Sequence, residues 1–539
     1  MTKRILAAAI ALAFFSSAAS AADLVLVNVD PVGSGLNDTT AATAVGGNPG
    51  TTVGEQRRIA YQYAADLWGA VLTSTVPIRV QASFAALSCN ANAATLGSAG
   101  SASSYYDFTG AASPATWYPS ALADAMAGKN LGTATSVDIV SRFNANIGQP
   151  TCLSSKSWYY GLDGVTPAGK VNFLNVVMHE IGHGLGFAST VNKATGELML
   201  GKTDAYSTPI FDNVSKLSWT AMSDAQRKAA ILGDGIVFTG ATVKTEVPLA
   251  LGPVLVMQAG GSVAGTFSFG TANFGPAATR DGFAGDAVLV NSGGENGSLG
   301  CGFLTNASEV AGKIAIARAG QCMSGDKSFY AQLAGAKGMV IVHNQPGNAP
   351  NLSDGYSNNA IPTLSLAQGD GNQIIEALPG VVVSLTPLSG RYTGADTDGR
   401  AMLYAPSVLA GGSSLSHYST SLQPDALMEP FSTGNEQANL YLDLTPALFK
   451  DIGWKLAPGN ALISTCDTSV DAVSPGGAII GASLTARARV CRRDPGLLGV
   501  NYIGCVNRYA GELRSAGLIN GLQQTQIGLC ATLTAIINP

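Results

Sequence analysis

Two histidines and a glutamate lie close together in the segment His179-Glu180-Ile181-Gly182-His183. On an α-helix, residues four positions apart share one face, so both imidazoles can bind the same metal ion. This His-Glu-x-x-His spacing is typical of zinc sites, where the glutamate takes a proton from a zinc-activated water. The chain has only four histidines, and two of them complete the spacing. The segment therefore predicts a zinc-dependent hydrolase with Glu180 as its general base.

The third metal ligand is not supplied by the same segment. A catalytic zinc usually has three protein ligands. In the compact metzincin signature H-E-x-x-H-x-x-G-x-x-H, Gly186 matches the glycine, but Ser189 stands at the position of the third histidine. Only His343 and His417 remain as histidine ligands. Because His343 ends an apolar strand, we expect it to be an ordinary surface or satisfied histidine.

The surroundings of His417 resemble those of leishmanolysin-type metzincins, in which an insertion separates the third histidine from H-E-x-x-H-x-x-G-F. The segment 425–430 (DALMEP) has the D-x-L-M-x-P form of that family, and Met428 follows His417 by eleven positions, as it does there. The resemblance implies that His179, His183 and His417 hold one catalytic zinc ion. It also implies that Met428 forms an apolar floor beneath the metal without binding it, and that the protein is a secreted zinc endopeptidase.

The spacing of apolar residues predicts the secondary structure around these site residues. The pattern predicts a helix over Asn172–Leu185 that ends at a glycine cap, Gly186. It also predicts a helix over Glu55–Leu72 and strands over Pro77–Phe84 and Val137–Phe143. These elements indicate a mixed α/β (α+β) catalytic domain.

A short helix is predicted near residue 450, with Thr445 as N-cap, Pro446 at N1 and Gly453 at C′. Residues 443–454 (DLTPALFKDIGW) resemble the C-terminal helix that closes bacterial metzincin domains. We therefore expect the catalytic domain to end near residue 457.

The 234 positions between His183 and His417 (417 − 183) are far more than a loop needs, so an inserted folded domain is predicted. Short apolar strands alternate with turns over residues 243–389. Segments 312–318, 320–322 and 334–342 resemble a protease-associated (PA) domain, with similarity from about Gln258 to Ser389. The resemblance implies a β-rich, non-catalytic module that gates substrate access or binds partners.

The insert makes the predicted catalytic domain discontinuous. Its two parts cover residues 22–242 and 390–457, and a small disulfide-bonded C-terminal region covers residues 458–539.

All eight cysteines are expected to form disulfides, because an even count is typical of an exported chain. No tight C-x-x-C pairs suggest a zinc ribbon. The cysteines form local groups of two, two and four. This grouping predicts the pairs Cys89–Cys152 and Cys301–Cys322, and two bridges among the last group, which are formed by Cys466, Cys491, Cys505 and Cys530.

The first residues have the layout of a cleavable signal peptide. Lys3 and Arg4 precede an apolar run over Ile5–Phe15, and small residues follow up to Ala21. We predict cleavage near Ala21 and a secreted or periplasmic mature protein. The alternative is an N-terminal membrane anchor, but the run is shorter than the ~20 residues of a span. No later segment is long enough to span a membrane.

The composition of the chain limits the classes of molecule that it can be expected to bind. The net charge is −5 and charged residues make up 12% of the chain, without a basic block or an arginine-rich stripe, which argues against nucleic acid. Proteins or peptides are therefore the expected substrates. One zinc ion is the predicted cofactor, and nothing indicates a structural calcium ion, which stays open. The competing hypothesis is a catalytically degenerate metalloprotease-fold protein that binds partners through its PA domain.

Overall fold

The computed structural model describes residues 21–356, 358–493 and 500–537. The chain forms two compact units: one contains the chain up to Gly252 and from Tyr392 onward, and the other is Pro253–Arg391. Apart from Ala21, the predicted signal peptide lies outside the described residues, so its cleavage stays a prediction. Within the described residues, no helix is both long and apolar enough to cross a membrane.

Most helices belong to the first unit. Within the described residues, the helices in chain order are α1 (Val53–Val71), α2 (Ser120–Ala127), α3 (Phe173–Leu185), α4 (Asp224–Ala230), α5 (Ala241–Ala250), α6 (Ala307–Val310), α7 (Ser324–Leu333), α8 (Gln368–Glu376), α9 (Thr445–Ile452), α10 (Ile480–Arg493), α11 (Val500–Ser515) and α12 (Gly521–Ile537).

The strands of the first unit are short. Within the part of the chain that the structure describes, those preceding the second unit are β1 (Leu24–Asn28), β2 (Ile78–Ala85), β3 (Gly97–Ser101), β4 (Ser104–Tyr105), β5 (Thr116–Pro119), β6 (Ile139–Asn144), β7 (Ser157–Tyr159), β8 (Lys170–Asn172), β9 (Thr203–Asp204), β10 (Ile210–Asp212), β11 (Leu217–Ser218) and β12 (Ile236–Phe238).

The remaining strands continue in chain order. The described strands of the second unit are β13 (Pro253–Ala259), β14 (Gly265–Phe267), β15 (Phe269–Thr271), β16 (Ala284–Leu289), β17 (Ile314–Arg318), β18 (Gly338–Val342), β19 (Thr363–Leu366) and β20 (Val382–Tyr392), and the first unit then adds β21 (Ala401–Met402), β22 (Asn460–Ile463) and β23 (Cys466–Asp471).

The main sheet of the first unit has the strand order β1-β2-β6-β3. β1, β2 and β6 are parallel, whereas β3 pairs antiparallel with β6 at the edge. α1 and α3 pack against each other beside this sheet. Aromatic side chains fill the core between them, and the rings of Phe143 and Phe173 lie 5.0 Å apart between centroids. The sheet therefore supplies a rigid support for α3.

Helix α1 begins at Val53, two residues before the predicted start. Thr52 and Glu55 form a capping box: the Thr52 hydroxyl accepts from the Glu55 N–H, and the Glu55 carboxylate accepts from the Thr52 N–H. These two hydrogen bonds satisfy free N–H groups of the first turn and fix where the helix starts.

The second unit begins at Pro253, not at the predicted residue 243. Residues 241–250 form α5, whose Val243 and Val247 are buried in the core of the first unit. The second unit is built on one sheet with the order β14-β13-β20-β16-β17-β18-β19-β15. Strands β16 to β19 are parallel, and α7 and α8 pack against β18.

Residues 458–539, as far as the structure describes them, belong to the first compact unit. The described part of this region has a small core of its own, but α10 packs along α1. The buried carboxylate of Asp66 on α1 forms ion pairs with Arg489 and Arg493 on α10. Apolar packing and these ion pairs make the C-terminal region part of the first unit.

All eight cysteines lie within the described residues, and each is paired. The bridges are Cys89–Cys152, Cys301–Cys322, Cys466–Cys530 and Cys491–Cys505. The structure thus has the first two predicted bridges and gives the pairing of the last four cysteines, which the spacing left open.

Candidate metal centre

Helix α3 carries the first two histidines, and its ends are fixed by specific contacts. Asn172 caps the N-terminus by accepting a hydrogen bond from Asn175 N–H. At the other end Gly186 has φ +129°, a conformation that side chains disfavour, so the helix stops at Leu185 as predicted. The indole N–H of Trp454 donates to the Leu185 carbonyl at 2.8 Å. Trp454, which follows α9, thus satisfies a backbone carbonyl at the C-terminal end of α3.

A glycine in α3 sets the distance between the helix and the sheet. A Cβ atom on Gly184 would lie 2.3 Å from Cγ2 of Ile139 on β6, so any larger residue would push the helix away. The H-E-x-x-H turn is therefore held close to the sheet.

His179, His183 and His417 meet at one point. Their Nε2 atoms are 3.0 Å (His183–His179), 3.2 Å (His183–His417) and 3.3 Å (His417–His179) apart. A tetrahedral zinc ion with nitrogens at about 2.0–2.1 Å would separate them by about 3.3 Å. Within the described residues, these three form the group of His, Cys, Asp and Glu side chains that could hold a metal ion.

The other ring nitrogen of each histidine faces a backbone carbonyl. The Nδ1 atoms of His179, His183 and His417 lie 2.7, 2.8 and 2.9 Å from the carbonyl oxygens of Leu427, Phe187 and Ser413. Because a carbonyl oxygen only accepts, each Nδ1 must carry the proton, which leaves a lone pair on each Nε2. Three lone pairs that face one another at this distance repel, unless a cation lies between them. The donor set therefore fits a zinc ion.

Burial keeps these imidazoles neutral. It lowers the pKa of His179, lowers that of His183 to about 3, and lowers that of His417 well below its usual value. His183 and His417 are buried, whereas His179 stays partly exposed. Neutral imidazole is the form that binds metal, and the exposure of His179 leaves one side of the group open to a substrate.

Glu180 lies beside the histidines and is 5% exposed. Its carboxylate accepts a hydrogen bond from the N–H of Ala99 on β3, and burial raises its pKa to about 8. A Cβ atom on Gly97 would lie 2.7 Å from Glu180 Oε1, so the strand has room for the carboxylate only because residue 97 is glycine. A carboxyl group whose pKa lies nearer the working pH than that of an ordinary glutamate is suited both to accept and to release a proton.

Met428 lies against the turn of α3 between His179 and His183. Its side chain is fully buried, and a Cβ atom on Gly182 would be 2.7 Å from its sulfur. The Met428 carbonyl accepts from the N–H of Tyr418, the residue after His417. The predicted apolar floor thus contacts α3 and pairs with the segment that carries the third histidine.

The turn before Met428 is held by Asp443. The N–H of Leu427 donates to Asp443 Oδ2 at 2.6 Å, and the Thr445 N–H donates to Oδ1 at 3.1 Å. This corrects the predicted cap: Thr445 is the first helical residue of α9, not its N-cap, and its hydroxyl donates to Asp443. Sequence spacing did not single out Asp443, because its contact with the turn before Met428 is to a backbone N–H, that of Leu427.

Ser189 and His343 are not in the histidine group. Ser189 belongs to a buried polar network, in which its hydroxyl donates to Asp204 and its N–H donates to the Ser416 hydroxyl at 3.3 Å. It therefore supports the residue before His417 and does not replace it. His343 lies in the second unit, where its Nδ1 is 3.0 Å from the Gln345 carbonyl.

The family model of the PA domain matches residues 283–374. The chain contains a PA domain. The match covers a part of the second compact unit, whose sheet and helices are described above, and it does not reach the histidine group.

Curated relatives match only short stretches of the chain. The ER degradation-enhancing alpha-mannosidase-like protein 3 of Xenopus laevis is 34% identical over 88 residues, which are 15% of this chain and 10% of the relative. Leucine aminopeptidase 2 of Arthroderma otae is 29% identical over 89 residues, which are 16% of this chain and 18% of the relative. The chain thus spans less than a fifth of the length of either relative.

The solved structures that were compared with this chain show only a weak similarity to it. The zinc aminopeptidase BSAP from Bacillus subtilis is 16% identical, with a TM-score of 0.18 over 35% of this chain and 44% of that chain. The subtilisin-like protease Apa1 from Pseudoalteromonas sp. AS-11 is 17% identical, with a TM-score of 0.20 over 45% and 50%. Scores this low carry no argument about fold or function, so the metzincin assignment stays a prediction.

Proposed function

We propose that this protein is a zinc-dependent peptidase, and more specifically a metzincin-type endopeptidase that acts after export. The observation that carries this proposal is the meeting of three Nε2 lone pairs, contributed by His179, His183 and His417, beside the buried carboxylate of Glu180. Neutral imidazoles with fixed tautomers are suited to hold zinc, and the adjacent carboxylate is suited to move a proton. Together they form the apparatus of metal-assisted hydrolysis.

A zinc ion bound there would supply a Lewis acid that acidifies water and stabilises negative charge on the substrate carbonyl oxygen. Glu180 accepts the proton of the attacking water and passes it to the nitrogen of the leaving amine. The carbonyls of Leu427, Phe187 and Ser413 keep the imidazole rings in place. Met428 packs below them and excludes water from that side.

The edge strand β3 supports a peptide substrate bound in an extended form. Within the described residues, β3 pairs only with β6, and apart from the Ala99 N–H, which donates to Glu180, its other edge is open to pair with a peptide. Gly97 and Ala99 lie next to Glu180, and a Cβ atom on Gly100 would meet nothing within 4 Å. A peptide that extends along β3 in both directions past Glu180 is bound as an endopeptidase binds its substrate.

The disulfides and the PA domain support a role outside the cytoplasm. Four bridges are typical of proteins that fold in an oxidising compartment. With the predicted signal peptide, they favour a secreted or periplasmic enzyme, and the PA domain is then a non-catalytic module of it.

The proposal is tested with the full secreted chain. Its zinc content is measured by atomic absorption, and cleavage of casein is followed with and without a chelator. We expect about one zinc per chain and cleavage that stops on chelation and returns with zinc. Glu180→Gln should keep the zinc and lower the rate about 10²–10⁴-fold, the usual contribution of a positioned proton acceptor.

Two results would count against the proposal. Full activity of Glu180→Gln would exclude the assigned mechanism. A wild-type protein that binds zinc and cleaves no protein or peptide would favour the alternative, a binding protein that acts through its PA domain.

A further inference from the structure

Lys193 lies in the loop that follows α3, ten positions after His183. It is partly buried, and its Nζ donates to the carbonyl of Gly412 at 3.3 Å. The next carbonyl in that segment, that of Ser413, accepts from Nδ1 of His417. The ammonium group therefore lies beside the segment that orients the third proposed metal ligand.

In the part of the chain that the structure describes, Lys193 has no acidic partner. Among the ion pairs of the described residues, none involves Lys193. Burial alone lowers its pKa to about 8, and its charge contributes to the lowered pKa of His183 and of His417. Within the described residues, no carboxylate pairs with the positive charge of Lys193.

The hydrogen bond to Gly412 does not by itself explain why the ammonium group of Lys193 is partly buried. At 3.3 Å it is long for an N–H···O bond, and it uses only one of the three donors of the ammonium group. A partly buried cation loses part of its hydration and regains the lost energy when an anion binds to it. The free donors of Lys193 are therefore available to a negatively charged group of a ligand.

We propose that Lys193 binds a carboxylate of the peptide substrate close to the scissile bond and so makes the enzyme selective for peptides that carry one there. This inference rests on the proposed peptidase function. The carboxylate is supplied either by an aspartate or glutamate side chain or by a free C-terminus, since both present the same two oxygens to the ammonium group.

The test compares matched fluorogenic peptides cleaved by the zinc-loaded full chain. One series carries glutamate or glutamine at each of the four positions on either side of the cleaved bond. A second pair ends in a free or an amidated C-terminus. For the wild type we expect kcat/KM to be about 10-fold higher for one carboxylate form than for its amide, as is typical of one hydrogen bond to a charged group.

In Lys193→Met this preference should fall to about 1, and Lys193→Arg should retain most of it because the charge is kept. Lys202→Met is the matched control: Lys202 is also partly buried, but its ammonium group lies over the Tyr106 ring, 4.6 Å from the centroid. The control should keep the wild-type preference. Whether the side-chain series or the C-terminal pair responds identifies the source of the carboxylate.

Three outcomes would overturn the inference. One is a wild type that cleaves the acid and amide forms equally well, and another is a preference that survives in Lys193→Met. The third is loss of zinc from Lys193→Met, which would mean that Lys193 only holds the segment before His417. If the wild type cleaves none of the peptides, the peptidase function itself fails.

Discussion

The side chains of Asp443 and His179 both hydrogen-bond to the backbone of one residue, Leu427. Asp443 Oδ2 accepts from the N–H of Leu427 at 2.6 Å, and the carbonyl of the same residue lies 2.7 Å from His179 Nδ1. Metal-binding histidines commonly donate to a carboxylate or a carbonyl, which fixes the ring and increases its basicity. Asp443 therefore fixes the position of the residue whose carbonyl orients the His179 ring.

Asp443→Asn should therefore weaken zinc binding. The amide has one acceptor oxygen, so it cannot accept from the N–H groups of both Leu427 and Thr445, and loss of groups that support metal ligands typically costs 10–100-fold in metal affinity. Competition with a chromophoric chelator measures the affinity. Asp425→Asn, in the same segment as Met428, is the control and should leave the affinity within about 2-fold. If Asp443→Asn binds zinc like the wild type and only melts earlier, Asp443 merely stabilises the turn.

His417→Ala and His343→Ala should differ in zinc content. His417 contributes one of the three converging Nε2 atoms, whereas His343 belongs to the second unit. Zinc measured by atomic absorption after dialysis should fall from about one per chain to near zero in His417→Ala and stay unchanged in His343→Ala. The reverse pattern would show that the third ligand has been assigned to the wrong histidine.

Gly182→Ala should destabilise the first unit, although alanine is the better helix former by about 1 kcal/mol. Its Cβ atom would lie 2.7 Å from the Met428 sulfur, well inside normal contact, and overpacking of this kind costs about 1–3 kcal/mol. The unfolding temperature should fall, and zinc occupancy with it. Gly511→Ala in α11, whose Cβ atom would have its nearest neighbour at 3.8 Å, is the matched control and should melt at or slightly above the wild-type temperature.

Asp66→Asn should weaken the attachment of the C-terminal helices. Asp66 is buried on α1 and pairs with Arg489 and Arg493, whose side chains are partly exposed, so we expect a loss of about 1–3 kcal/mol in the free energy of unfolding. Chemical denaturation followed by tryptophan fluorescence measures the loss. Asp23→Asn at an exposed position is the control. A variant as stable as the wild type would mean that apolar packing alone holds α10 on α1.

The sequence by itself determined the local features of this protein. The spacing of His179 and His183 follows from the period of one helix, and the end of that helix follows from Gly186, because glycine alone readily adopts φ +129° there. The pairs Cys89–Cys152 and Cys301–Cys322 followed from their isolation along the chain. A compact insert was predicted from the distance between His183 and His417, since no ordinary loop has that length.

Only the tertiary structure decided the relationships between distant segments. His417 is 234 positions from His183, and its Nε2 lies 3.2 Å from that of His183 only because the chain returns after the second unit and pairs near Met428. The roles of Asp443 and Lys193 gave no signal in the sequence, since their contacts with distant segments are to a backbone N–H and a backbone carbonyl, groups that nearly every residue has. The C-terminal helices likewise belong to the first unit because of their packing on a surface of α1. Helical spacing alone does not show which element packs on that surface. Spacing reports which residues share one element, whereas the site depends on which elements pack together.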